Sequence, residues 1–283
     1  MCIRDRLPAG FLGGGYDFTP GCKQIDALAL ILEAARGNLS LAPGDTLPVG
    51  VGFITFQSSG FAETVVPLVA RHRPAAVWLF APNEPGQHAP LVAALRAAGA
   101  PWRLRVFVQV GTVSAAREAV EDGADVVVAQ GVDAGGHQWA RGAGVVALVP
   151  DVVDMLAREF PARDVAVLAA GGVVDGRGVA ACMALGAAGA VMGTRFVATD
   201  ECPMPDAVKA TIVRTADGAA STVKSVVHDD IQGTGFWPAL YDGRAIVGES
   251  YRDHEAGVGL DDNITKYKAA MTAGQSSRRT VWA

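Results

Sequence analysis

The sequence predicts an α/β protein whose main body is a (β/α)₈ barrel, the TIM-barrel fold, and three features support this class. Short apolar runs alternate with amphipathic helical stretches from residue 11 to about residue 195. Runs as apolar as these are typical of strands that are buried on both faces of a parallel sheet. The chain also has 34 glycines and few aromatic residues, which suits tight loops between strands and helices. Repeated strand–helix units of this kind favour a closed barrel over an open doubly wound sheet.

Seven strands are predicted, and helical stretches lie between them. The strands are a fragment at residues 9–12 and the runs 49–54, 76–80, 105–110, 125–130, 165–170 and 189–192; the helices are 63–72, 90–98, 114–122, 152–160 and 178–185. A closed barrel of this class needs eight strands. We therefore expect the first strand and its helix to be missing from this chain, and residues 1–6 to be non-native sequence.

The pattern changes after Arg195, where charged residues and turns become more frequent. We predict a barrel domain over residues 1–200 and a smaller C-terminal lobe over residues 201–283, with helices near 206–216 and 261–273. A lobe that covers the barrel mouth would shape a substrate pocket. The alternative is a packing extension without ligand contacts. The chain ends at Val-Trp-Ala without a closing helix, so we expect the C-terminus to be shortened too.

Composition excludes several classes of function. A net charge of −5 and a pI near 5.5 argue against nucleic acid as a partner. The sequence has no apolar run long enough for a membrane span and no signal peptide. Scattered cysteines without CxxC spacing indicate reduced thiols in a cytoplasmic protein; they are Cys2, Cys22, Cys182 and Cys202. No histidine or carboxylate pair has metal-ligand spacing, so we predict no metal site. The sequence does not indicate the oligomeric state.

The segment from Val126 to His137 is the most informative part of the chain. A fully apolar run passes into a loop with three glycines, and a histidine follows. Glycines allow the backbone to approach a ligand closely. A histidine at the C-terminal end of a barrel strand can polarise or deprotonate a bound molecule. His137 is therefore the candidate catalytic residue.

The other four histidines are weaker candidates. His72 ends a predicted helix, where an imidazole suits the helix dipole. His88 follows a turn and His254 lies in a charged loop, so both are expected to be solvated. His228 is a candidate to line the inner surface of the C-terminal lobe.

Two further loops have the composition of a phosphate site. Gly171 and Gly172 follow the strand at 165–170, and Asp175 is the expected N-cap of the next helix. Gly193 and Thr194 follow the next strand in the same way. These loops come after the last two predicted strands, which is the usual phosphate position in this barrel. Arg195 fits either a phosphate contact or an outward salt bridge.

The segments QGVDAGGH, AAGGVVDGRG and VMGTRF resemble those of the nitronate monooxygenase family, formerly called 2-nitropropane dioxygenases, which are FMN-dependent TIM barrels. The resemblance extends from about residue 11 to residue 283, and WPALYDGRAI resembles the fungal-type and related bacterial members. The family's first strand has no counterpart here. The resemblance implies a role for each of seven residues: Gly171, Gly172, Gly193 and Thr194 at the FMN phosphate, Gln109 near the flavin ring, Gly136 against the isoalloxazine, and His137 as the active-site histidine.

The activity that the resemblance implies is oxidation of alkyl nitronates by O₂ to a carbonyl compound and nitrite. His137 would either stabilise the anionic nitronate oxygens or remove the α-proton of a neutral nitroalkane. An FMN-dependent enoyl-acyl-carrier-protein reductase is the nearest alternative, although those enzymes usually have Glu-Gly where this chain has Gln130-Gly131. An NADH:quinone reductase on the same scaffold is a further alternative, as is an inactive fragment.

Overall fold

A computed structural model describes residues 10–283 of the chain. Residues 1–9, which include Cys2 and the segment 1–6 that was expected to be non-native, lie outside the described residues. No helix between residues 10 and 283 is long and apolar enough to cross a membrane.

Within residues 10–283, ten strands form two sheets. The strands are β1 (Phe11–Gly13), β2 (Leu47–Ile54), β3 (Pro74–Phe80), β4 (Arg105–Val110), β5 (Val126–Gln130), β6 (Gly136–Trp139), β7 (Ala166–Ala170), β8 (Gly189–Val191), β9 (Thr222–Ser225) and β10 (Tyr241–Ile246). The larger sheet has seven strands in the order β1-β2-β3-β4-β5-β7-β8, and the pairs from β1 to β5 are parallel. All seven predicted strands are therefore confirmed, as is the α/β barrel class.

In the part of the chain that the structure describes, twelve α-helices follow or precede these strands. They are α1 (Lys23–Asn38), α2 (Phe61–His72), α3 (His88–Gly99), α4 (Val113–Glu121), α5 (Val145–Glu159), α6 (Gly176–Ala184), α7 (Thr194–Val197), α8 (Asp206–Arg214), α9 (Gly218–Ser221), α10 (Val227–Gln232), α11 (Glu249–Glu255) and α12 (Leu260–Thr272), with a short 3-10 helix at Ala100–Trp102. The predicted helices are confirmed, but α5 begins well before residue 152. The Asp133 carboxylate accepts the Val145 amide at 2.7 Å, which satisfies a free N–H at this helix start.

The smaller sheet is antiparallel, with the order β6-β10-β9. His137 on β6 lies opposite Gly243 on β10, and Gly243 in turn lies opposite Ser225 on β9. The sequence had placed His137 at the end of a glycine loop. The structure shows that the loop is short and that the chain resumes as a strand at Gly136, so the position of His137 is set by the pairing of β6 with β10.

The described chain divides into two compact units. One contains the residues up to 129, together with 149–168 and 186–188; the other contains 130–148, 169–185 and 189–283. The first unit has an apolar core to which β2, β3, β4 and helices such as α2 contribute buried side chains. In that core, Phe18, Phe53 and Phe61 meet edge to face with ring centroids 5.0–5.9 Å apart. The residues that follow β5 and β7 belong to the same unit as the C-terminal region.

The prediction that His88 is solvated was wrong. His88 is the first residue of α3 and is buried, and its Nε2 lies 2.7 Å from Thr55 Oγ1. Since the Thr55 hydroxyl donates to Phe80 O at 2.8 Å, it must accept from the imidazole N–H. Burial lowers the pKa of His88 to about 4. His254 is exposed as predicted, but it lies on α11 and not in a loop.

Candidate active site

The His137 imidazole forms a close pair with a buried carboxylate. Its Nε2 lies 2.9 Å from Oδ1 and 3.0 Å from Oδ2 of Asp229. The Asp229 side chain is 4% exposed and that of His137 is 19% exposed. An ionised carboxylate can only accept hydrogen bonds, so Nε2 carries the hydrogen and donates it. The lone pair of the neutral imidazole is therefore on Nδ1.

Asp229 is itself held in place by its neighbours along the chain. It lies on α10, where the chain turns at Gly233 with a φ of +77°, in the left-handed region that favours glycine. The turn brings Thr234 back, so that its hydroxyl donates to Asp229 Oδ1 at 2.7 Å and its amide donates to Asp229 O at 2.9 Å. The carboxylate is thus fixed before it meets His137.

Two tryptophans enclose the imidazole. The Trp237 ring is stacked on His137 with centroids 3.9 Å apart and planes within 9°, and the Trp282 ring is tilted at 46° with centroids 4.6 Å apart. Trp282 packs against Gly243, where a side chain would overlap its ring, and it bridges to Ala245. With these rings packed against it, the His137 side chain is mostly shielded from water but keeps 19% of its surface exposed.

His228 belongs to the same cluster but is buried. Its ring centroid is 5.4 Å from that of Tyr251 and 5.6 Å from that of Trp282, and its Nε2 lies 3.4 Å from Val223 O. Burial is the main cause that lowers the pKa of His228. His228 therefore packs behind Trp282 as a neutral side chain.

Hydrogen bonds hold both ends of the glycine loop between β5 and β6. The Gly131 amide donates to Ala170 O at 2.9 Å, and Gln130 Nε2 donates to the His137 carbonyl at 3.1 Å. Gly136 has a φ of +71°, and a Cβ at this position would meet nothing within 4 Å. Gly135 packs directly on the backbone of Ala283. The loop thus keeps open space beside Gly136 and carries the backbone into β6.

The two predicted phosphate loops lie in the same unit as His137. Gly171 and Gly172 have φ values of +117° and +67°, which side chains rarely adopt. Asp175 is the N-cap of α6, as predicted, and accepts the amides of Arg177 and Gly178 at 2.9 and 3.1 Å. Its bonds with Arg177 are the main cause that lowers the pKa of Asp175.

The second predicted phosphate loop, which contains Gly193 and Thr194, has open space next to its glycine. Gly193 precedes α7, and a Cβ at Gly193 would meet nothing within 4 Å. Thr194 begins α7, and Arg195 is exposed. The amides of Phe196 and Val197 donate to Gly193 O at 2.9 and 3.2 Å, which closes this short helix on its glycine.

Gln109 lies on β4, in the other unit, opposite Val128 of β5. Its Oε1 accepts a hydrogen bond from Trp78 Nε1 at 3.0 Å. The tryptophan therefore fixes the amide so that Nε2 is the end that can donate to a ligand.

Sequence reasoning missed Asp229, Thr234, Trp237 and Trp282 as parts of the site. Asp229 is 92 residues from its partner His137 along the chain. The only available signal was the adjacent His228-Asp229-Asp230 segment, in which His228 alone had been considered. No group of three or more histidine, cysteine, aspartate or glutamate side chains within residues 10–283 is arranged to bind a metal ion.

Comparisons with known proteins identify the family. The family model described as nitronate monooxygenase matches residues 57–234. A nitronate monooxygenase of Neurospora crassa is 47% identical, over 96% of this chain and 75% of the relative. The nitronate monooxygenase npaC of Metarhizium robertsii is 42% identical, over 89% of this chain and 69% of its own length.

A solved structure shows the same fold. FabK from Thermotoga maritima superposes with a TM-score of 0.70 at 24% identity, covering 99% of this chain and 87% of that one. The sequence resemblance and the architecture are thus confirmed together. This chain belongs to the nitronate monooxygenase family of flavin-dependent oxidoreductases.

Proposed function

We propose that this chain uses FMN and O₂ to convert alkyl nitronates to a carbonyl compound and nitrite, with His137 as the active-site histidine. The observation that carries the proposal is the paired imidazole, which is held by Asp229 and enclosed by Trp237 and Trp282. The names of the two fungal relatives support the substrate class. FMN would supply the redox chemistry, while the protein binds, orients and shields the substrate.

The residues present fit a flavin. Backbone beside Gly136 and Gly193 is open, because a Cβ at either position would meet nothing within 4 Å. We propose that the isoalloxazine lies against Gly136 and that the FMN phosphate is held by Gly171, Gly172, Gly193 and Thr194. Backbone amides next to glycines are suited to phosphate oxygens. The role of Gln109 beside the ring stays a prediction.

Nδ1 of His137 is the nitrogen that would meet the substrate. The neutral imidazole presents a lone pair there, since Nε2–H is used by Asp229, and this lone pair can remove the α-proton of a nitroalkane. The protonated imidazole presents an N–H at the same position and can donate to the oxygens of a nitronate anion. One atom therefore serves both candidate roles, and the tryptophans restrict the access of water.

Oxygen uptake with propionate 3-nitronate tests the proposal. Protein supplemented with FMN should consume O₂ rapidly without NADH, and nitrite should accumulate. A parallel assay follows NADH oxidation with an enoyl thioester and with a quinone. NADH turnover without uptake on the nitronate would contradict the proposal and assign the chain to the reductase activities.

Replacing Gly193 by alanine is expected to weaken FMN binding. The φ of −104° at Gly193 is accessible to alanine and the added methyl meets no protein atom, so the fold should be unaffected. The methyl would instead occupy space beside the phosphate, which we expect to raise the Kd for FMN by about tenfold or more, equivalent to about 1.4 kcal/mol. Quenching of flavin fluorescence measures the Kd.

Gly37→Ala is the matched control for this substitution. Gly37 is an exposed residue of α1 whose added Cβ also meets nothing within 4 Å. It should leave the Kd for FMN unchanged and stabilise the helix slightly. An unchanged Kd in Gly193→Ala would remove Gly193 from the proposed phosphate site.

A further inference from the structure

We infer that Asp229 is a positioning residue that fixes the tautomer of His137 and thereby makes Nδ1 the reactive nitrogen. The inference rests on the proposed role of His137, but it concerns a different residue and an observable that needs no turnover. It also predicts how the enzyme divides its activity between neutral nitroalkanes and nitronate anions.

The first support is the geometry of the pair. Both carboxylate oxygens lie within 3.0 Å of Nε2, and the Asp229 side chain is 4% exposed. A buried carboxylate that is this close to a ring nitrogen stabilises the N–H form at that nitrogen. The hydrogen on the neutral imidazole is consequently assigned to Nε2.

The second support is the set of partners of Asp229. Over residues 10–283, its side chain forms an ion pair with His137 and with no lysine or arginine, and Thr234 supplies a hydroxyl donor. A carboxylate that served only to hold α10 in place would be expected to meet a permanent cation or several backbone amides. Asp229 is instead directed at His137, the partly exposed imidazole of the candidate site.

The neighbouring charged groups do not take over this role. His228 is adjacent in sequence, but it is buried, and burial lowers its pKa and keeps it neutral. Lys224 on β9 is paired with Asp242 on β10 at 3.3 Å, and its ammonium also donates to Trp139 O at 2.9 Å. Asp229 is therefore the group that sets the protonation pattern of His137.

Asp229→Asn would reverse the tautomer. Thr234 donates to Oδ1, so the asparagine oxygen takes that position and its NH₂ group takes the position of Oδ2, 3.0 Å from Nε2. The amide then donates to Nε2, and the hydrogen of the neutral imidazole moves to Nδ1. An aspartate-to-asparagine change beside a catalytic histidine can leave the geometry of the site intact and still give the wrong tautomer. The histidine then presents an N–H to the substrate in place of a basic lone pair.

The direct test is the ¹⁵N NMR spectrum of selectively labelled histidines, with His137 assigned by the signal that disappears in His137→Asn. The wild-type protein should show Nε2–H and an unprotonated Nδ1 in the neutral ring, and Asp229→Asn should show the reverse. A wild-type ring with its hydrogen on Nδ1 would overturn the inference without any variant. An unchanged tautomer in a folded Asp229→Asn variant would overturn it as well.

Kinetics give a second readout that a merely structural role would not produce. Asp229→Asn should lower kcat on a neutral nitroalkane by about 100-fold or more, because the base is lost. It should retain activity on the corresponding preformed nitronate to within about tenfold, because Nδ1–H can still donate to the anion. Equal losses on both substrates would contradict a role in setting the tautomer.

Asp230→Asn is the control, since it removes a carboxylate one residue away on the same helix without touching the pair. Its His137 tautomer and its kinetics should match those of the wild type. The failure of the proposed function would be recognised separately, because a wild-type protein without nitronate turnover can still show the expected tautomers.

Discussion

The His137→Asn variant is expected to lose turnover on nitronates and nitroalkanes by about 10²–10⁴-fold in kcat, the usual contribution of a positioned general acid or base. Asparagine removes the imidazole, and with it both the lone pair and the N–H at Nδ1. Asparagine is too short to bring its amide to the position of Nε2, so the buried Asp229 carboxylate keeps only the Thr234 hydroxyl as a donor, and some loss of stability is expected beside the loss of turnover. Steady-state oxygen uptake measures the loss.

Two controls separate this chemical effect from loss of cofactor or fold. The Kd for FMN should change little, because His137 is not assigned to the phosphate loops. His254→Asn replaces an exposed histidine on α11 and should retain full turnover. If His137→Asn binds FMN and still turns over at the wild-type rate, the assignment of His137 as the active-site residue is wrong.

Acidification is expected to cost about 3 kcal/mol of folding free energy through His88 alone. Burial lowers the pKa of His88 to about 4, whereas the unfolded chain has the ordinary value near 6.5. Between about pH 6.5 and pH 4, His88 is protonated in the unfolded chain but stays neutral in the folded protein. The free energy of unfolding therefore decreases as the pH falls through this range. Urea unfolding at pH 7.5, 5.5 and 4.5 measures this slope.

A substitution at His88 tests whether this residue causes the dependence of stability on pH. His88→Gln keeps a donor for the Thr55 hydroxyl but cannot be protonated, so its stability should depend less steeply on pH than that of the wild type. Burial also lowers the pKa values of His72 and His228, so part of the acid sensitivity should remain. The exposed His254 serves as control, and a His88→Gln slope equal to that of His254→Gln would contradict the prediction.

The regular elements could be predicted from the sequence because their signals are local. Apolar runs with flanking glycines identified all seven strands of the larger sheet, and Asp175 was identified as a cap because a cap acts within three residues. The positions of Gly171, Gly172 and Gly193 followed from the same strand ends. The order of strand–helix units also determined the fold class, since short connections leave few topologies open.

The sequence by itself thus determined the barrel class and the two glycine loops, and it singled out His137 among five histidines as the candidate for the site. Only the tertiary structure decided what surrounds that histidine. Pairing of β6 with β10 sets the orientation of the His137 ring, and α10 brings in Asp229 from 92 residues away. The burial of His88 was decided in the same way, by contact with Thr55. Contacts between distant segments leave no periodic pattern in the chain, because each depends on where whole elements pack and not on the residues next to it.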